Sequence, residues 1–164
     1  MKSLINIAFL GTCAVGILAG ATCAASAQGV QRLYPPNSGV AIASATSVPS
    51  GYVTYYLSGA LPTPLKPPAA GKPPEFGDTT VQTRSVLNNL KAVMDKLGIG
   101  YGDVVAAHVF LDPKADVAAM NKVWSTEFGT AAQPNKPARA TVYVHALVVP
   151  TALLEVEFTA VKKK

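Results

Sequence analysis

Between Ala138 and Val161 the sequence alternates, residue by residue, between two kinds of side chain, and a period of two commits this part of the chain to β-strands. In the stretch from Ala138 to Leu147, Ala140, Val142, Val144 and Ala146 lie on one side, and Arg139, Thr141, Tyr143 and His145 on the other. From Leu153 to Val161, after a turn containing Pro150, Leu154, Val156, Phe158 and Ala160 oppose Leu153, Glu155, Glu157 and Thr159. Each strand thus has an apolar face that must pack on something, and the two polar faces together bring Arg139 and Glu155 onto one side of a sheet. A face of that kind is either solvated or covered by other subunits, where charges persist only if they are paired or used.

What packs on the apolar face is legible upstream. After Asp78 the period changes to that of a helix, with Val86, Leu90, Val93 and Leu97 on one stripe and Leu87 and Met94 beside it. Thr79 followed by Gln82 has the spacing of a capping box, and Gly98 marks the stop. Val104 to Leu111 reads as a compact apolar strand. Asp112-Pro113 opens a second helical region in which Val117, Met120, Trp124 and Phe128 share a face, with Gly129 ending it. Before the first helix, Gln28 to Ser38 reads as an irregular lead-in. Val40 to Val48 and Tyr52 to Ser58, separated by the turn Pro49-Ser50-Gly51, read as an antiparallel hairpin. Pro62 to Pro74, dense in proline and without periodicity, reads as a stiff surface loop. The order β-β-α-β-α-β-β predicts an α+β sandwich, two helices on one face of a mostly antiparallel sheet.

A chain of 164 residues holds one ordinary domain. Its start is of another kind. Lys2 precedes an apolar run from Leu4 to Ala21 that is diluted by Gly11, Gly16 and Gly20, is short for a membrane span, and leads to Ala25-Ser26-Ala27. This predicts a secretory signal over residues 1–27, cleaved after Ala27, a single domain over 28–164 with no membrane attachment, and export to a bacterial periplasm. Cys13 and Cys23 both fall within the signal, so the mature chain has no thiol for disulfides or nucleophilic catalysis. His108 and His145 lack a second ligand at metal-like spacing, so no metal site is expected. The net charge of +5 owes three units to the terminal run Lys162-Lys163-Lys164, which reads as a solvated end. No basic cluster carries interleaved aromatics, and no nucleic-acid partner is expected.

The stretch from Gln82 to Ala92, then Gly102-Asp103-Val104-Val105 leading to Val109-Phe110-Leu111, then Asn121, resembles the middle of Rid (YjgF-type) family proteins. Pro137-Ala138-Arg139 followed by Leu154-Glu155-Val156-Glu157 resembles their carboxy-terminal signature. The resemblance implies a chorismate-mutase-like fold assembled as a homotrimer, with three clefts between neighbouring subunits. It also implies hydrolysis of reactive 2-imino acids of the 2-aminoacrylate type to 2-oxo acids and ammonia, a 2-iminobutanoate/2-iminopropanoate-type deaminase working without a cofactor. Arg139 falls on the family's carboxylate-binding arginine, a role for which a planar, permanently charged fork is suited. Glu155 falls on the water-orienting carboxylate, and Glu157 reads as a pairing residue. Ser58 and Gly59 resemble the Ser-Gly pair near the substrate, Asn121 an asparagine near the cleft, and the backbone N–H groups of Ala140 and Thr141 could complete the cradle. Thr141 stands where many catalytic members carry cysteine. Ala43, Ser44 and Ala45 stand where the family has an amino-terminal tyrosine. The same cleft would also suit a binding protein that holds a small carboxylate or carbonyl compound without turning it over.

Overall fold

The computed structural model describes residues 29–36 and 39–164; the segment expected to be a signal lies outside them. The elements are β1 (Gln31–Leu33), β2 (Ala45–Ser47), β3 (Tyr52–Ala60), α1 (Thr79–Lys96), β4 (Val104–Leu111), α2 (Val117–Trp124), β5 (Ala138–Tyr143) and β6 (Leu154–Lys163). A four-stranded sheet runs in the order β3-β6-β4-β5 and both helices pack on one of its faces. The ladders β3/β6 and β6/β4 are antiparallel, and β4/β5 is parallel. The expected class of fold is therefore present. Among the described residues no helix is long and apolar enough to cross a membrane.

Helix α1 starts at Asp78, whose carboxylate accepts from the Val81 amide at 2.9 Å. The box expected from Thr79 and Gln82 is replaced by this single cap. The Thr79 hydroxyl instead accepts from the Asp116 amide, tying the two helix starts together. Gln82 is buried and donates to the carbonyls of Gly77 and Thr151 while accepting from the Leu153 amide. It sews the helix to the segment entering β6. At the other end Gly98 takes a φ of +66°, and Ile99 and Gly98 donate back to the carbonyls of Met94 and Asp95, the Schellman closure for which glycine is favoured. The buried stripe is Val86, Leu87, Leu90 and Met94; Val93 and Leu97, expected beside them, are 47% and 44% exposed.

Asp112-Pro113 turns the chain without starting the helix, since Asp112 accepts from the amides of Lys114 and Ala115. Helix α2 begins after Asp116, which caps the amides of Ala118 and Ala119. Val117 is partly exposed, whereas Met120, Val123 and Trp124 are buried, and Phe128 from the following turn stacks on Trp124 at 4.4 Å. Tyr101 and Phe158 meet Phe128 edge-on and complete the aromatic centre between helices and sheet.

The amino-terminal hairpin does not form as expected. The strand partner of β2 is β1, from the segment read as irregular, while β3 pairs with β6 at the far end of the chain. Ala41 and Ala43 are buried for another reason: the Trp124 indole donates to the Ala41 carbonyl, and the Ala43 amide donates to the Pro137 carbonyl beside β5. Small residues in alternation permit such a close approach but do not name the partner. Pro62 to Pro74 contains neither helix nor strand, in keeping with its composition.

The register corrects the expected faces. Leu154, Val156, Phe158 and Ala160 of β6 are buried under the helices, as their alternation demands. On β5, however, Arg139 and Thr141 align with Ala107 and Val109, which in turn align with Phe158 and Val156. Aligned residues share a face, so Arg139 and Thr141 point to the helix side. Ala140 and Val142 point to the open side, in line with His108 and Phe110 and with Glu157 and Glu155. Arg139 and Glu155 are thus on opposite faces of one sheet.

Candidate functional site

Arg139 leaves β5 beneath the second helix. Its guanidinium lies 4.6 Å over the Trp124 ring, a stacked cation–π contact. One terminal nitrogen donates to the Asn121 side-chain oxygen at 2.7 Å, and the other stands 3.9 Å from the Met120 sulfur. The remaining nitrogen, Nε, is buried without a hydrogen-bond partner, as is the hydroxyl of Thr141 two residues on. No carboxylate among the described residues forms an ion pair with this arginine. Burial pulls its pKa down to about 10, still high enough to keep the charge at neutral pH. The guanidinium thus keeps one N–H, and Thr141 on the same strand face its hydroxyl, without a partner among the described residues.

A second cluster occupies the open face. In the β3/β6 ladder the register slips between Leu57 and Ala60, and the bulge so formed is Ser58-Gly59. Glu155 of β6 lies directly over it: a Cβ on Gly59 would stand 2.0 Å from the Glu155 Oε1 and 2.9 Å from its Cδ. The lack of a side chain at Gly59 is what lets the carboxylate rest there. Beyond Glu155 a shallow cavity of about 240 Å³ is lined by Phe110, Val144 and Leu147. Glu157, expected as a pairing residue, bonds the His108 ring at 2.6 Å.

The expected site residues therefore fall into two groups. Arg139, Asn121 and Thr141 come together, and so do Ser58, Gly59 and Glu155. A single chain does not unite the two groups. The stacking of Arg139 on Trp124 was not anticipated, because the helical period that places Trp124 in the core carries no mark of which strand residue lies under it.

The comparisons with known proteins agree with this architecture. Residues 44–162 match the family model described as endoribonuclease L-PSP. A RutC family protein of Pyrococcus horikoshii is 39% identical over 87 residues, which are 53% of this chain and 65% of that protein, so the chain spans less than two thirds of that relative. The 3-aminoacrylate deaminase RutC of Acinetobacter baylyi is 35% identical over 105 residues, 64% of this chain and 76% of that one. Among solved structures, a Rid-family protein of Yersinia pestis superposes with a TM-score of 0.61 at 21% identity, covering 81% of this chain and 98% of that one. A YjgF-family protein of Neisseria meningitidis does so at 0.53 and 24%, covering 84% and 98%. With the family model spanning most of the chain and both helices seated on the same mixed sheet, this protein belongs to the endoribonuclease L-PSP family, the Rid/YjgF/RutC group.

Proposed function

We propose that the protein hydrolyses 2-imino acids to 2-oxo acids and ammonia, in clefts that a homotrimer completes by setting the Arg139 group of one subunit against the Glu155 group of the next. The observation that carries this reading is the half-buried guanidinium of Arg139, which no carboxylate among the described residues neutralises and which keeps its Nε–H without a partner. A substrate carboxylate supplies the missing charge and is held by parallel hydrogen bonds, with Asn121 and the Trp124 ring keeping the fork in place. The separation of the two groups onto opposite faces supports assembly, since a neighbouring sheet is the nearest source of the absent half.

The chemistry needs little more. A C=N carbon is already electrophilic, so no covalent nucleophile is required. A water held by Glu155 adds its oxygen to that carbon while one of its protons passes by way of the carboxylate to the nitrogen, giving a carbinolamine. The carbinolamine hydroxyl proton then passes by the same carboxylate to the amine as the C=O bond forms and the C–N bond breaks, releasing ammonia and the 2-oxo acid. The similarity to a 3-aminoacrylate deaminase favours this class of reaction. A second reading, a binding protein for small 2-oxo acids, is favoured by the alanines at 43 and 45, which leave the cleft without the family's tyrosine.

The test is to generate imines in situ with an amino-acid oxidase and follow ammonia release. The purified protein is expected to accelerate it, and Arg139→Ala to abolish the acceleration while the oligomer and its circular dichroism persist. An intact trimer that gives no acceleration, yet is stabilised saturably by 2-oxo acids, would replace the first reading by the second.

A further inference from the structure

Like Arg139, Arg32 is taken into the fold without a paired acid. It stands on the short strand β1, and one of its terminal nitrogens donates to the carbonyls of Gly102 at 3.0 Å and Val104 at 3.4 Å. Its Nε is buried without a hydrogen-bond partner, and no carboxylate among the described residues forms an ion pair with it. The acid whose charge reaches it, Asp103, has its carboxylate turned to the Gly100 amide at 2.8 Å. The two carbonyls pin β1 to the turn before β4, but carbonyl dipoles offset a covered cation less fully than an anion does.

The Arg32 side chain lies against a cavity of about 480 Å³ at the end of the sheet where β3 begins and β6 finishes. A volume of that size is typical of small-molecule sites. The β3/β6 register sets Tyr52 opposite Lys163, so both rise from one face, with Val161 two residues back on the same face. Lys162, on the other face by alternation, is held by the Gly98 carbonyl at 2.5 Å, whereas Lys163 is exposed and in no ion pair among the described residues. The terminal lysines, which composition alone reads as a solvated end, thus divide into two roles. Arg32, Lys162 and Lys163 line the cavity against the single carboxylate of Asp103, while Val30 and Val161 give it an apolar part beside the Tyr52 ring. The excess of positive charge matches a dianion, and the space is more than a bare phosphate fills.

We propose that this cavity binds a small phosphate monoester, its phosphoryl group between Arg32 and Lys163 and its organic part along Tyr52 and Val161. A guanidinium fixed in place and an ammonium free to swing in suit phosphoryl oxygens. The site is separate from the cleft proposed for imines: Lys163 stands eight residues along β6 from Glu155, about 26 Å at the usual rise of a strand.

Calorimetric titration of the full chain with phenyl phosphate, inorganic phosphate and benzoate tests this. We expect saturable binding of phenyl phosphate, about tenfold or more tighter than that of the other two, and weakened about tenfold by Lys163→Gln, the loss of one charged hydrogen bond. Arg32→Gln should weaken it further, but it also removes a pin of β1, so Lys163→Gln, at an exposed strand end, is the deciding variant. Arg139→Ala, which removes the other arginine without a paired acid, should leave the affinity unchanged. Binding that Arg139→Ala abolishes and Lys163→Gln spares belongs to the cleft and refutes the site. Inorganic phosphate bound as tightly as phenyl phosphate refutes a place for the organic part, and benzoate bound as tightly refutes the phosphoryl preference. Absence of saturable binding refutes the proposal outright, and none of these outcomes bears on imine hydrolysis.

Discussion

Gly59 offers a way to move the Glu155 carboxylate without touching its chemistry. An alanine methyl at position 59 would stand 2.0 Å from Oε1, 2.9 Å from Cδ and 3.1 Å from Cγ of Glu155. To regain ordinary van der Waals separation the oxygen must retreat by about 1.4 Å, and a displacement near 1 Å of a reacting group costs on the order of a hundredfold in rate. The first obstacle is the far end of a half-buried, flexible side chain, so the fold should give way only slightly, by about 1 kcal/mol, or roughly 2–4 °C in Tm. Gly59→Ala is therefore expected to lower kcat for imine hydrolysis about a hundredfold with a small thermal shift. The same substitution in a Glu155→Ala background separates the routes. If the methyl acts by displacing the carboxylate, it adds almost nothing once the carboxylate is gone, and the two effects are far from multiplicative. Full activity in Gly59→Ala would show that the position of Glu155 is immaterial. Independent, multiplicative losses would show that the bulge acts by some other path.

The charge on Arg139 sets an alkaline limit. With burial lowering its pKa to about 10 in the free protein, 2-oxo-acid affinity measured by calorimetry should be flat below about pH 9 and fall as pH rises through 10; affinity that stays flat to pH 11 would show that burial does not lower the Arg139 pKa, and unchanged affinity in Arg139→Ala would remove it as the carboxylate holder. The sign for stability is opposite: burial disfavours the charged form in the folded state, so that cost is fully present below about 10 and fades as pH climbs toward the ordinary arginine value. Gln82→Leu should cost about 2–4 kcal/mol in denaturant unfolding, because the Gly77 and Thr151 carbonyls and the Leu153 amide all lose their partner at a site where Gln82 is 1% exposed. A loss under 1 kcal/mol would mean that water replaces the amide.

The sequence by itself determined the two helices and the strands β3 to β6 with their periods, but not β1, which lies in a stretch without alternation. The helix ends at Gly98, the strand from Val104 to Leu111, and the buried side of β6 all follow from local rules: a glycine needed at positive φ, a run too short and apolar for a surface helix, and alternation against a helical layer. The family motif was equally local, and it named Arg139, Glu155, Ser58, Gly59 and Asn121 before any geometry was in view. What only the tertiary structure decided is the sign of each alternation and the partner of each strand. A period of two separates Arg139 and Thr141 from Ala140 and Val142, but which pair lies under the helices depends on the parallel register with β4. There the aliphatic stem and flat fork of arginine cover Trp124 better than alanine could. The pairing of β3 with β6 joins segments about a hundred residues apart, and short-range pattern contains no term for it. The same holds for Val93 and Leu97, whose spacing placed them with Val86 and Leu90 but which stay nearly half exposed beside the edge strand β3. Contacts between distant segments sorted one expected polar face onto the two sides of the sheet, Arg139 and Thr141 on one and Glu155 on the other.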